Sequence, residues 1–250
     1  MRIIRFEHKG KVFWGSVYQE KVHLLKGNIF SGVTETRRTV PLKDVKILPP
    51  VLPSKIIGVG LNYLSAVQGY RKDKEIGMEI PKEPRIFFKA STSIIGHLEQ
   101  IIYPEKTNRV DYEGELGVVI GKRTKSVTES QAFDCILGYT IVNDVSARDY
   151  DRERGKSFDT FCPVGPVIAT DLDPHNLHLE IRMNGKVVQS ANTRDLLFKV
   201  DQLVSFISRI MTLLPGDLIA TGTPGVGPME KGDIVEIEIE RIGILKNFVT

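Results

Sequence analysis

The residues of this chain best suited to chemistry are carboxylates at short, regular spacing. Asp111, Glu113 and Glu115 stand at every second position of Val110-Asp111-Tyr112-Glu113-Gly114-Glu115-Leu116-Gly117-Val118-Val119-Ile120. A strand through this segment would place all three on one face, with neighbours roughly 7 Å apart. The row runs straight into an apolar stretch that should be buried, and like charges at the edge of a core repel. Two readings stay open: a solvated strand edge, or a cation that neutralises the row. Carboxylate oxygens are hard ligands, so such a cation would be Mg²⁺, Mn²⁺ or Ca²⁺.

A second acidic position follows another apolar run, where Tyr139-Thr140-Ile141-Val142 ends in Asn143-Asp144. Two or three protein carboxylates leave coordination positions for water and a chelating substrate, which is an open and catalytic type of site. Arg148, four residues further, could hold an anionic substrate through a bidentate contact, or could be exposed or salt-bridged. Lys156 lies beside hydroxyls in Gly155-Lys156-Ser157-Phe158-Asp159-Thr160, and Thr223 lies in Thr221-Gly222-Thr223-Pro224-Gly225-Val226-Gly227, which offers hydroxyls and accessible backbone amides. A plain loop would explain either segment alone. The glycine-rich segment lacks the spacing of a nucleotide-phosphate loop or a dinucleotide fingerprint.

These groups need elements to position them. The 250 residues suffice for one large domain, or one with a small extension. Short runs such as Ile3-Ile4-Arg5-Phe6 and Val12-Phe13-Trp14-Gly15, broken by Gly10, Gly27 and Gly32, predict a small antiparallel β subdomain over residues 1–48. Pro49, Pro50 and Pro53 make a stiff connection to a second, metal-binding domain over residues 54–250. Strand-type runs dominate there, and two helices are expected. One spans residues 128–137, opened by the capping box of Thr128 and Gln131; the other carries the stripe Val200, Leu203, Val204, Ile207 and Met211 and stops before Pro215-Gly216. Val235, Ile237 and Ile239 alternate with Glu236, Glu238 and Glu240, a strand with one buried and one solvated face.

Composition excludes several classes. Basic and acidic residues, 34 against 31, are scattered apart from short clusters near Lys9 and Arg37, which argues against a nucleic-acid surface. No stretch approaches a membrane span and the N-terminus lacks a signal-peptide core, so a cytoplasmic protein is expected. Cys135 and Cys162 have no spacing for zinc or a disulfide framework and are expected to be reduced and buried.

Taken together, the chain resembles the fumarylacetoacetate hydrolase family. The matching pieces, in order over residues 45–247, are Pro53 to Tyr63, Asp111-Tyr112-Glu113-Gly114-Glu115, Gly138 to Asp149, Lys156-Ser157-Phe158-Asp159 and Gly216-Asp217 through Gly227. The resemblance implies a mixed, mostly β fold around a distorted β-roll, a homodimer, and Mg²⁺ or Mn²⁺ held by Glu113, Glu115 and Asp144. Lys156 would contact the substrate carbonyl as the catalytic cation, with Thr223 on its carboxylate. The branch it is most similar to comprises 2-hydroxyhepta-2,4-diene-1,7-dioate isomerases and acylpyruvate hydrolases. Many members carry a water-activating histidine and glutamate after the Asn-Tyr pair; here those positions are Ala66 and Gly69. The charged segment that follows reads as a lid, with Glu75, Glu79 or Tyr70 as replacement bases and His97 as a further candidate. The expectation is an enzyme acting on small 2-oxo or β-diketo acids through a metal-stabilised enolate, by isomerisation, decarboxylation or carbon-carbon hydrolysis. Loss of the dyad weighs against hydrolysis. The alternative is a protein that binds metal and 2-oxo acid without turnover.

Overall fold

The computed structural model describes residues 1–74 and 80–250. Strands β1 (Arg2–His8), β2 (Lys11–Tyr18), β3 (Lys21–Asn28) and β4 (Gly32–Pro41) form an antiparallel meander. Its first two turns are tight: Lys9-Gly10 and Gln19-Glu20 all have positive φ, the hairpin geometry that matches strand twist. β5 (Lys46–Leu48) returns to pair with β1, and the prolines then lead into β6 (Ile56–Gly60). Helix α1 (Leu64–Lys74) follows, then β7 (Arg85–Lys89), β8 (Ile94–Ile95), β9 (Gln100–Ile101), β10 (Val110–Tyr112) and β11 (Gly114–Ile120). α2 (Glu129–Ala132), β12 (Ile136–Asn143), β13 (Ser146–Ala147), α3 (Arg152–Gly155) and β14 (Cys162–Ala169) complete the middle of the chain. The rest is β15 (His178–Met183), β16 (Lys186–Asn192), α4 (Val200–Ile210), β17 (Leu218–Ala220), β18 (Gly227–Met229), β19 (Ile234–Ile239) and β20 (Gly243–Val249).

Among the described residues these strands make three sheets, so the fold is mostly β, as expected. The largest runs β4-β3-β2-β1-β14-β12-β11-β17-β6-β7, with β5 and β8 attached to β1 and β14. A second is β16-β15-β19-β20-β9, and a small one is β13-β10-β18. β11 and β12 are central and covered on both faces, which is why their sequences read as continuous apolar runs. Ile4, Phe6 and Val22 of the N-terminal meander share one buried cluster with Leu116 and Ile141. β19 shows the expected alternation: Val235, Ile237 and Ile239 are buried, while Glu236 and Glu238 pair with Lys246 and Arg182.

One of the two helix expectations needs correction. The helix expected over 128–137 is short: its capping box holds, with Thr128 N–H donating to Gln131 at 3.1 Å, but a 3₁₀ turn over Phe133–Cys135 follows α2 and the chain enters β12 at Ile136. The β-branched and aromatic residues after Ala132 find better packing as a strand. α4 matches its stripe, ending at Ile210. α1 was not expected at all, because the segment offers little apolar periodicity: over its first six residues only Val67 is buried. No helix among the described residues is long and apolar enough to cross a membrane.

Candidate metal centre

The expected acidic row is divided by the fold. The chain leaves β10 after Tyr112 and enters β11 at Gly114, with Glu113 at the break. Asp111 therefore belongs to the small sheet, paired with Ser146, and Glu115 to the large one, paired with Val142. Glu113 is fixed at the junction: its N–H donates to Asn143 Oδ1 at 2.9 Å, and its carbonyl accepts from Asp144 N–H at 2.8 Å. This crossing brings Asp144, at the end of β12, against the two glutamates. The carboxylates of Glu113, Glu115 and Asp144 are all buried, with a ligand oxygen of each within 4.8 Å of the others.

Asp111 does not join them. Its carboxylate takes Arg109 Nε at 2.8 Å and Arg148 Nε at 2.7 Å. Arg148 in turn reaches Glu113 Oε1 with its other nitrogen at 2.6 Å, so the salt-bridged reading of Arg148 is the one the structure bears out. It spans Asp111 and Glu113 and fixes the latter's carboxylate. Lys156, one residue past α3, donates to Asp144 Oδ2 at 2.5 Å, Ser146 Oγ at 2.7 Å and Glu113 Oε2 at 3.1 Å, using all three ammonium hydrogens. Lys89 closes the other side: its fully buried ammonium lies 2.6 Å from Asp144 Oδ1 and donates to Val145 O at 3.1 Å. Sequence reading passed over Lys89, the last residue of an apolar strand run. Its signal was a cation followed by no turn glycine, with Phe87 and Phe88 before it.

Glu115 differs from its neighbours. It accepts the Gly222 N–H at 2.7 Å, but no cation pairs with it among the described residues. Gly222 has φ +105, and a Cβ there would come within 2.8 Å of Asn62 Cβ, so this approach of loop to carboxylate requires glycine. Asn62 is fully buried and anchors the loop, donating to Thr221 O at 2.7 Å and accepting from Phe198 N–H at 2.7 Å. Burial, then Asp144 and Glu113, push the Glu115 carboxyl well above the ordinary glutamate range. For Asp144, burial pulls upward, but Lys156 and Lys89 outweigh it and hold the group below the usual aspartate range. Lys156 is raised although burial opposes this, because Asp144 and Glu113 favour its charged form. A buried carboxylate without an ion-pair partner among the described residues, beside two others, is a donor set that suits a hard divalent cation.

A pH prediction follows. With its folded pKa raised, Glu115 contributes stability that is complete below its ordinary value of 4.5 and lost as pH rises through the folded value. Asp144 behaves oppositely, its contribution vanishing only as pH falls through and below the ordinary aspartate value of 3.8. Melting curves of the metal-free protein should therefore decline in Tm from pH 5 to pH 8. Stabilisation by Mg²⁺ or Mn²⁺ should grow over the same interval. A metal effect that is flat or shrinks with rising pH would contradict the assignment.

The glutamates open on a cleft of about 980 Å³, lined also by Arg148, Lys156, Thr223, Ala66 and Gly69. Thr223 faces it with a hydroxyl that donates to Gly225 O at 2.6 Å, and it must turn from that bond to donate to a substrate. A smaller concavity of about 430 Å³, on the N-terminal strands between Phe13 and Arg38, contains no carboxylate and no ligand set. His97 lies elsewhere: Nδ1 accepts the Lys246 N–H at 3.2 Å, and burial, then Lys246, lower its pKa. The proposed bases Glu75 and Glu79 lie outside the described residues, as does the Tyr70 side chain. Both cysteines are free and buried, and burial pushes the Cys162 thiol up to about 12, which disfavours its thiolate.

Fold and site together define a mostly β protein with a buried acidic triad that could hold a metal ion. The chain belongs to the fumarylacetoacetate (FAA) hydrolase C-terminal family, whose profile matches residues 55–250; residues 1–50 match the Rv2993c-like N-terminal family. Human mitochondrial oxaloacetate tautomerase FAHD2A is 42% identical over 229 residues, 84% of this chain and 71% of the relative. The structure of 2-hydroxyhepta-2,4-diene-1,7-dioate isomerase from Mycobacterium marinum superimposes with a TM-score of 0.91 at 43% identity, covering 100% of this chain and 98% of that one. Maleylpyruvate hydrolase from Sphingobium sp. SYK-6, in complex with manganese(II) and pyruvate, gives a TM-score of 0.83 at 29% identity, covering 100% and 99%. The protein is an enzyme of this family, whose relatives include a tautomerase, an isomerase and a hydrolase.

Proposed function

We propose that the protein uses a divalent metal, Mg²⁺ or Mn²⁺, to form enolates of small 2-oxo or β-diketo acids, with keto-enol or double-bond isomerisation or decarboxylation favoured over carbon-carbon hydrolysis. The observation that carries this reading is Glu115, a fully buried carboxylate without an ion-pair partner among the described residues, set against Glu113 and Asp144 at the floor of a cleft. These three residues would hold the ion, which when bound supplies Lewis-acid polarisation of a chelated 2-oxo carbonyl. The remaining work falls to side chains. Lys156 is held charged by Asp144 and Glu113, so it acts not as a base but as a hydrogen-bond donor to the oxygen on which negative charge develops, once one of the three hydrogens it gives to Asp144, Ser146 and Glu113 is turned to the substrate. Arg148 keeps Glu113 oriented, and Thr223 offers its hydroxyl to the substrate carboxylate.

α1 brings Ala66 and Gly69 to the cleft wall, at the positions where a water-activating histidine and glutamate would stand. Neither can accept a proton. Hydrolysis needs an activated water; decarboxylation needs the electron sink and a proton, and isomerisation a group that takes a proton from carbon and returns it, but neither needs water activated. The tautomerase and isomerase among the relatives support this preference. The test is product analysis by NMR for oxaloacetate, an acylpyruvate and an unsaturated 2-oxo diacid, with Mg²⁺, Mn²⁺ or chelator. Metal-dependent isomerisation or decarboxylation with little acylpyruvate cleavage is expected. Dominant cleavage would overturn the preference, and no conversion by metal-loaded protein would overturn the reading.

A further inference from the structure

The outer part of the cleft carries positive charge that the metal centre does not use. On β7 the period of two places Arg85, Phe87 and Lys89 on one face, in steps of roughly 7 Å. Lys89 ends that row at Asp144, while Phe87 and Arg85 line the cleft. Two cations approach the Phe87 ring: Lys156 Nζ is 4.8 Å from its centroid and the Arg152 guanidinium carbon 5.8 Å. Arg152, at the start of α3, also lines the cleft. The other two arginines there, Arg109 and Arg148, both bind Asp111. Among the described residues neither Arg85 nor Arg152 has a carboxylate partner, and the cleft carboxylates Asp111 and Glu113 are committed to other cations.

We propose that Arg152 and Arg85 clamp a second carboxylate, so that the preferred substrates are 2-oxo diacids whose carbon chain lies over Phe87 and not neutral-ended 2-oxo acids. The proposal rests on the function above and narrows its substrate class. An apolar ring leading from the metal centre to a planar, five-donor guanidinium matches a short hydrocarbon chain ending in a carboxylate. Arg152, stacked on the ring nearest Lys156, takes the distal group of a short diacid; Arg85, one strand step further out, takes that of a longer one. Both are exposed at the cleft mouth, so their substitution leaves the core intact.

The experiment compares oxaloacetate with its 4-methyl ester, which keeps the 2-oxo acid head and lacks the second charge, on metal-loaded natural protein, Arg152→Gln, Arg152→Lys and Arg85→Gln. The natural protein should prefer the diacid. In Arg152→Gln that preference, as a ratio of kcat/KM values, should fall about 10- to 100-fold, with the loss in KM and kcat for oxaloacetate within about threefold. Arg152→Lys should recover part of it, because charge remains but the fork is lost. Arg85→Gln should act chiefly on a longer unsaturated 2-oxo diacid. Equal handling of diacid and ester by the natural protein, or an unchanged ratio in Arg152→Gln, would overturn the clamp and leave the enolate reading standing. Failure of the metal-loaded natural protein to bind either compound in calorimetry would overturn that reading and the clamp with it.

Discussion

Replacing Glu115 with glutamine should lower turnover by about a thousandfold or more and, in the absence of metal, make the protein more stable. The two effects have one cause. Among the described residues Glu115 is the carboxylate of the cluster that forms no ion pair, and burial next to Asp144 and Glu113 disfavours its charge. Glutamine keeps an oxygen to accept the Gly222 N–H, now 2.7 Å from the carboxylate, and removes the charge. The metal-free fold loses a repulsion, while the holo site loses a ligand and with it several kcal/mol of transition-state stabilisation. Thermal melts with and without chelator give the comparison: the metal-free variant should melt above the metal-free natural protein, and added Mn²⁺ should shift it little. A metal-free variant that melts lower would show that Glu115 already has an effective counter-charge and is not the group awaiting an ion.

The opposite outcome is expected at Asp144. Its two oxygens hold Lys89 at 2.6 Å and Lys156 at 2.5 Å, both in the protein interior. Asp144→Asn strands the buried Lys89 ammonium and leaves Lys156 to Glu113, and removing one partner of a buried pair costs about 3–5 kcal/mol. For a chain of this size that is a fall in Tm of roughly 10 °C or more. Lys89→Met in the same background should restore part of the loss, with a coupling of about 0.5–3 kcal/mol, since the stranded charge is then gone. Additive losses in the double variant, read from denaturant unfolding, would show that Lys89 and Asp144 do not act as a pair. Two ligands of one proposed ion thus respond with opposite signs, which distinguishes this arrangement from a cluster of interchangeable acids.

Much of this centre was legible in the sequence because it sets polar residues against apolar ones. Glu113 and Glu115 stand at the mouth of a buried run and Asp144 at the end of another, so a neutralising cation was one of the two readings these residues left open. The alternation in β19 and the capping box of α2 are likewise local signals, and the structure keeps both. What escaped was non-local. Period-two counting assumed one strand through Asp111, Glu113 and Glu115, but the break at Glu113 hands Asp111 to another sheet, where it serves Arg109 and Arg148. Lys89 was passed over as the last residue of a strand-type run, and only the approach of β7 to the end of β12 makes it a buried counter-ion. α1 has too little apolar periodicity to predict, since it is a cleft wall whose Ala66 and Gly69 face open space and not core.

The most direct measurement is hydrogen-deuterium exchange, by NMR in D₂O, at the carbon adjacent to the 2-oxo group of oxaloacetate or an acylpyruvate, because exchange reports the enolate whichever product forms. The account predicts exchange accelerated by protein with Mg²⁺ or Mn²⁺, abolished by chelator and lost in Glu115→Gln. Exchange that persists under chelation, or that is absent when metal is bound at Glu113, Glu115 and Asp144, would contradict it.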